Sequence, residues 1–329
     1  MRSRGRFFSI TVLLSLSFFA LTFSGAHAAA YPEPGKPIRL IVPFAPGGNV
    51  DIISRAISNE LSQNLGAPIV VDNRAGAGGS IGSDMAAKAS PDGYTLLMVS
   101  ASHVINPSMV KKLPYDTVKA FNAVSMVSDV PTAFVCHPSL PFKTLKDVID
   151  YAKANPNKLN MGTAGIGTVG HLSGELLKSM AQIKYEIIHY KGAGPALTEL
   201  LGGHVQLQFV SMPAAMPHIR SGKLRAIAMT GAKRSPAAPD MPTMDEAGLS
   251  GFHVSTGFGM FVPAGTPRPI IDKVHDAIVK TLQMPEVKER LSKQGADPVG
   301  SSPEEYESFV RSEIAKWQKV VKEAGIQPL

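Results

Sequence analysis

After Tyr31 the chain alternates between two hydrophobic patterns, and that alternation restricts its fold more than any other feature. Short β-branched apolar runs read as strands: IRLIV, PIVVDN, YTLLMVS, AFVCH, KLNMGT, YEIIHY, VQLQFV, LRAIAMT and GFGMFV. Between many of them apolar residues recur three and four apart, as in VDIISRAISNELSQNL, TLKDVIDYAKAN, GHLSGELLKSMA and GPALTELLGG. Strands alternating with helices predict βαβ units and an α/β fold of mostly parallel sheets covered on both faces. The C-terminal part reads as helical. PRPIIDKVHDAIVKTLQ starts on prolines, and a last helix follows Ser302 as N-cap and stops at Gly325.

A chain of 329 residues suggests about two domains of ordinary size. A domain change is expected near Ser128–Thr132, after the third strand–helix unit, and a second near His253–Gly257. Two such changes predict a first lobe made of 31–130 and 257–329 and a second made of 131–256. A ligand then belongs in the groove between lobes, at the carboxyl ends of strands.

The N-terminus reads as an export signal covering 1–28. Arg2, Arg4 and Arg6 precede the apolar FFSITVLLSLSFFALTF, and Ala26-His27-Ala28 forms a small-residue cleavage site, with a second choice after Ala30. The apolar run is short for a membrane span. Residues 1–30 hold three Arg and no acid, so a formal charge of +7 becomes 7 − 3 = +4 without them. That excess, with no basic cluster, points away from nucleic acid. The single cysteine, Cys136 in TAFVCH, excludes an intrachain disulfide and a cysteine metal cluster, and reads as a buried small hydrophobe. No cysteine near the cleavage site offers a lipid anchor. The expected protein is exported, without cofactor or metal.

Several strand-end turns are candidates for chemistry. PFAPGGNVD feeds a helix N-terminus, where free N–H groups and the helix dipole favour an anion. Gly47 and Gly48 let backbone approach a ligand. A tight turn with Asn49 or Asp51 as plain N-cap accounts for the same residues. NRAGAGGSIG (73–82) lacks the Gly-Lys-Ser/Thr ending of a nucleotide loop, so its glycines read as allowing a close turn. MGTAGIGTVGH contains G-x-G-x-x-G at Gly165, Gly167 and Gly170, but the acid that would hold a ribose is missing after the next strand; Glu186 stands at its wrong end. An anion cradle explains those glycines as well, with Thr163 and Thr168 adding hydroxyls and His171 either a donor or a capped surface residue. Tyr190 walls a pocket or packs in a core, Lys191 is a lone cation, and Ser211 ends the strand holding Gln206 and Gln208.

No G-x-S-x-G elbow, no H-E-x-x-H and no Cys–His pair is present. Catalytic residues are therefore expected to be none. The alternative is an exported enzyme, either a hydrolase with a dispersed triad or an oxidoreductase using Gly165–Gly170 for a dinucleotide.

Taken together, YPEPGKPIRLIVPFAPGGNVD, VVDNRAGAGGSIG, SPDGYTLLM, GTAGIGTVGHLSGELLK, HYKGAGPALTELLGGHV, MPAAMPHIRSGKLRAIAMT, PTMDEAGLSGF and VPAGTP resemble the substrate-binding proteins of tripartite tricarboxylate transporters, the Bug or TctC type. The resemblance spans nearly all of the chain after the signal. It implies a two-lobed Venus-flytrap fold of the type II periplasmic-binding-protein kind, a small organic carboxylate as ligand, and delivery to a membrane permease by a monomeric receptor. Carried onto this sequence, it implies ligand contacts by Phe44, Ala45, Pro46, Gly47 and Gly48, and by Thr163, Ala164, Gly165, Gly167 and Thr168, with His171 behind. Asn49, Asp51, Tyr190 and Ser211 complete the candidate set. VQLQFVSMP lacks the acid the family often carries there, which favours a ligand without an amine, such as a dicarboxylate or aromatic carboxylate.

Overall fold

The computed structural model describes residues 31–190, 192–254 and 256–328. The export segment and Lys191 lie outside the described residues. No helix among them is long and apolar enough to cross a membrane.

The chain begins with β1 (Ile38–Val42), α1 (Asn49–Leu65), β2 (Ile69–Asn73), a single 3-10 turn at Ala77–Gly79, α2 (Ser80–Ala87), β3 (Thr95–Val99), α3 (Ser102–Met109) and β4 (Phe121–Asp129). It continues through β5 (Thr132–Cys136), α4 (Leu145–Ala154), β6 (Asn160–Thr163), α5 (Val169–Ala181), β7 (Glu186–His189), α6 (Ala193–Leu201), β8 (Leu207–Ser211), α7 (Met212–Arg220) and β9 (Arg225–Met229). It closes with β10 (Phe258–Pro263), α8 (Arg268–Gln283), α9 (Pro285–Lys293), β11 (Asp297–Pro298) and α10 (Pro303–Glu323).

The strands form two sheets, one ordered β11-β4-β10-β3-β1-β2 and the other β7-β6-β8-β5-β9. Each sheet is mixed rather than mostly parallel. β10 runs antiparallel to both β3 and β4, and β5 runs antiparallel to both β8 and β9. β5 and β10 are the strands by which the chain enters one sheet after leaving the other. A chain arriving across the cleft comes from the end where the local strands finish, so it must run back against them. Helical crossovers keep the pairs β1–β2, β1–β3, β6–β7 and β6–β8 parallel, and the two-residue β11 runs antiparallel to β4 at the sheet edge.

Local signals account for the helix ends. Ser302 accepts from the Glu305 N–H while the Glu305 carboxylate accepts from the Ser302 N–H, a reciprocal cap that fixes the start of α10; Thr144 and Asp147 do the same for α4. Two strands went unread, β4 and the two-residue β11. β4 carries buried Ser125 and Ser128, which interrupt its apolar pattern. Ser125 donates to the Ser301 carbonyl (2.8 Å), so its partner lies far along the chain. Cys136 is fully buried in β5, and burial pushes its thiol up to about 11, as fits a core residue.

Candidate functional site

The first turn leaves β1 at Val42 and enters α1 at Asn49. Gly47 has φ of 78°, a left-handed conformation that glycine adopts without cost, whereas Gly48 is extended at −75°. Gly48, not Asn49 or Asp51, occupies the N-cap position, and no side chain caps it. Asp51 sits three residues into the sequence after Gly48 and folds back. One carboxylate oxygen accepts the Gly47 N–H (2.9 Å), and the other accepts from Arg55 Nε (2.8 Å) and Asn73 Nδ2 (3.0 Å). Asn73 Nδ2 also donates to the Phe44 carbonyl (3.0 Å), which ties the turn to β2. Burial pushes the Asp51 carboxyl up, but Arg55, the Gly47 N–H and Asn73 outweigh it and hold it below the usual carboxylate range. Asp51 is thus a brace of the turn, buried and fully engaged.

The second turn repeats this construction in the other lobe. Gly167 has φ of 74°, Thr168 is the N-cap of α5, and the Gly167 N–H donates to His171 Nδ1 (3.0 Å). Thr168 donates its hydroxyl to the Gly165 carbonyl (2.8 Å) and accepts from the His171 N–H (3.3 Å). His171 is therefore neither a surface residue nor a donor at Nδ1: it is buried and accepts. Burial first, then His189 and Lys178, lower it to about 4, so it is neutral near pH 7 with its proton on Nε2. Thr163 bonds His189 Nδ1 (2.9 Å), and the Ala164 carbonyl accepts the Gly192 N–H (3.1 Å).

These bonds change what the turns offer. The N–H of Gly47 is spent on Asp51, that of Gly48 on the Ala45 carbonyl (3.2 Å), and that of Gly167 on His171. The glycines shape the turns; the donors left are the first-turn N–H groups of the helices, such as Asn49 and Val50 of α1 and Val169 and Gly170 of α5, which have no intrahelical acceptor.

A cavity of about 620 Å³ lies between the lobes. Phe44 from the first turn and Ile166, Gly167, Thr168 and Val169 from the second line it. Sequence reasoning missed the rest of its wall. Ala77 and Gly78, in the glycine-rich stretch read as only a close turn, line the cavity, as do Ser100–Ser102 at the N-terminus of α3, then Ile105, Asn106, Met109 and Thr256. The missed signal was the same one used elsewhere: serines directly after the strand β3. The Gly76–Gly82 stretch also packs on the first turn, where a Cβ on Gly79 would stand 3.1 Å from Phe44 and one on Gly82 2.8 Å from Pro43 Cα.

Other candidates fall elsewhere. Asn49 and Ser211 come together across a smaller cavity of about 210 Å³. Ala45 and Pro46 are exposed on the first turn. Tyr190 is half-buried against the core of the second lobe and does not line the main cavity. Two larger cavities exist, about 680 Å³ wholly within residues 143–247 and about 800 Å³ beside the two crossovers. Neither gathers helix N-termini from both lobes, as the 620 Å³ cavity gathers α3 and α5. Among the described residues no cluster of His, Cys, Asp and Glu is arranged to hold a metal ion.

A family profile described as the tripartite tricarboxylate transporter family receptor matches residues 53–326. Protein BugT of Bordetella pertussis is 40% identical over 310 residues, 94% of this chain and 95% of that protein. Rpa4515 of R. palustris, solved with adipate, is 35% identical with a TM-score of 0.73 and covers 91% of this chain and 100% of its own. MatC of Rhodopseudomonas palustris, solved with bound malate, is 34% identical with a TM-score of 0.69, covering 88% of this chain and 100% of its own. The chain belongs to the tripartite tricarboxylate transporter receptor family, and its fold is the two-lobed α/β fold of those binding proteins.

Proposed function

We propose that the chain is a periplasmic receptor that captures a small organic carboxylate between its lobes and delivers it to the permease of a tripartite tricarboxylate transporter. The observation that carries this reading is the meeting of two helix N-termini from opposite lobes, α3 at Ser100–Ser102 and α5 at Thr168–Val169, on one cavity. The His103 and Val104 N–H groups of α3 are taken by the Ser100 and Ala101 carbonyls, but the first N–H groups of the two helices, at Ser102 and Val169, and the helix dipoles favour an anion, and no acidic side chain among the described lining residues opposes it. The relatives solved with adipate and with malate support the carboxylate class. The lobes are proposed as 31–130 with 257–329, and 131–256, with Phe44, Gly167 and Thr168 at the ligand and Asp51 and His171 as braces behind it. The receptor acts as a monomer and without turnover.

Thermal shift with a panel of carboxylates tests the reading. A ligand that raises Tm and is recovered unchanged after incubation supports a receptor; consumption of the ligand means an enzyme. Export is tested by the intact mass of protein recovered from the periplasm, with cleavage after Ala28 expected. A mass that includes Met1 to Gly25 rejects the signal.

A further inference from the structure

The 620 Å³ cavity is poor in charge. None of its described lining residues is Lys, Arg, His, Asp or Glu. Its polar side chains are largely committed to the protein. Asn106 Nδ2 donates to the Gly78 carbonyl (3.0 Å), and the Thr168 hydroxyl donates to the Gly165 carbonyl (2.8 Å). The Ser100 and Ser102 hydroxyls share one hydrogen bond (3.2 Å), which leaves one of their hydrogens for a ligand, and Thr256 adds a hydroxyl to the lining. The helix N-termini and these hydroxyls suffice for one carboxylate. The remaining wall is apolar: Phe44, Ile105, Met109, Val110, Ile166 and Val169. A second carboxylate against this wall would lose its hydration and meet no cation among the described lining residues, which costs more than apolar contact returns.

Met109 crosses the cleft as well. A Cβ on Gly167, in the other lobe, would stand 3.0 Å from the Met109 Cε. An unbranched thioether at that point adapts to the shape of an apolar guest.

Resting on the carboxylate reading above, we infer that the solute is a monocarboxylate with an uncharged apolar body, aliphatic or aromatic, and that Met109 and Ile166 select that body. This separates the chain from the relative solved with adipate, a diacid.

Calorimetric titration of the mature protein with chain-matched probes tests the inference. Hexanoate and benzoate are expected to bind at least about tenfold more tightly than adipate and terephthalate. Diacids binding as well or better overturn the inference while leaving the carboxylate reading intact, and so does a lack of binding by either monoacid when a diacid binds. Hexanamide binding as well as hexanoate, or no binding by any of the four acids, overturns the carboxylate reading and the inference with it. Ile166 is 51% exposed, so Ile166→Arg leaves folding unharmed, which the unfolding transition checks. It should shift the adipate-to-hexanoate affinity ratio toward adipate by about tenfold, the worth of one new charge pair facing the bound end. An unchanged ratio removes Ile166 from the wall. Lys191→Ala, measured alongside, is expected to leave the ratio alone; a diacid preference lost with Lys191 shows that this lysine reads a second charge, against the inference.

Discussion

Gly47 and Gly48 stand side by side and answer to different demands. Gly47 needs its left-handed φ of 78°, although nothing lies within 4 Å of where a Cβ would sit. Gly48 has an extended backbone open to any residue, and its Cβ would meet only the Ala45 carbonyl at 3.3 Å. Gly47→Ala should therefore cost roughly 1–2 kcal/mol in urea unfolding, and Gly48→Ala clearly less. The reverse order would mean that space, not backbone sign, holds the turn. His171 gives a second prediction at this scale. Burial lowers both His171 and His103 to about 4 in the folded chain, against about 6.5 unfolded. Between these values the unfolded chain binds more protons. The stabilisation is complete above about pH 6.5 and drains as pH falls toward 4, by up to about 1.4 kcal/mol per pH unit for each histidine. His171→Gln removes one of these proton uptakes, so its Tm should fall less steeply than the parent's from about pH 7 to about pH 4.5. Parallel profiles would show that His171 does not titrate in that window.

Between elements, the closest approach of other backbone atoms to a glycine comes where α2 meets the first turn. A Cβ at Gly82 would lie 2.7 Å from the Arg74 carbonyl oxygen and 2.8 Å from Pro43 Cα, both backbone atoms that cannot rotate aside. Gly82→Ala should destabilise by roughly 1–3 kcal/mol, as overpacking does, and should weaken ligand binding because α2 carries the Gly78 turn with it. Equal unfolding midpoints for the two proteins would show that α2 shifts freely. The braces act at this scale too. Asp51 joins α1 to its own turn and, through Asn73, to β2, while His171 does the same work for α5 beside β7 through its edge-on contact with His189 at 4.6 Å. Two turns of unlike sequence thus reach one geometry, a left-handed glycine whose N–H is held by a side chain four residues on.

The whole molecule has a cleft with contacts on both sides and one helix that spans it. α10 packs on α3 and β4 in the first sheet's lobe and on α5 in the second's. Ser179 donates to Glu323 (3.0 Å), and Lys316 donates to the His253 carbonyl (2.7 Å) at the return crossover. An anion held by both α3 and α5 stabilises the closed arrangement over any open one, so ligand must shift the population toward closure. Small-angle scattering should give a smaller radius of gyration with saturating ligand than without it. Identical curves would mean that one lobe holds the ligand alone.

The alternation of strand and helix, the cap at Ser302, and the glycines of the turns were legible because each is a local preference of a few neighbouring residues. Which way a strand runs was not, because a two-residue alternation reports faces and carries no direction; only the path across the cleft reverses β5 and β10. β4 was hidden because Ser125 interrupts its apolar run, and the nearer of its two acceptors, the Ser301 carbonyl, lies 176 residues away. At the site, the sequence marked where backbone had to be bare. It did not determine which N–H groups remain for a ligand, since that depends on Asp51 and His171 folding back to claim those of Gly47 and Gly167. Nor did it bring Ser100–Ser102 to the same cavity as Thr168, a meeting made only when two lobes from distant parts of the chain face each other.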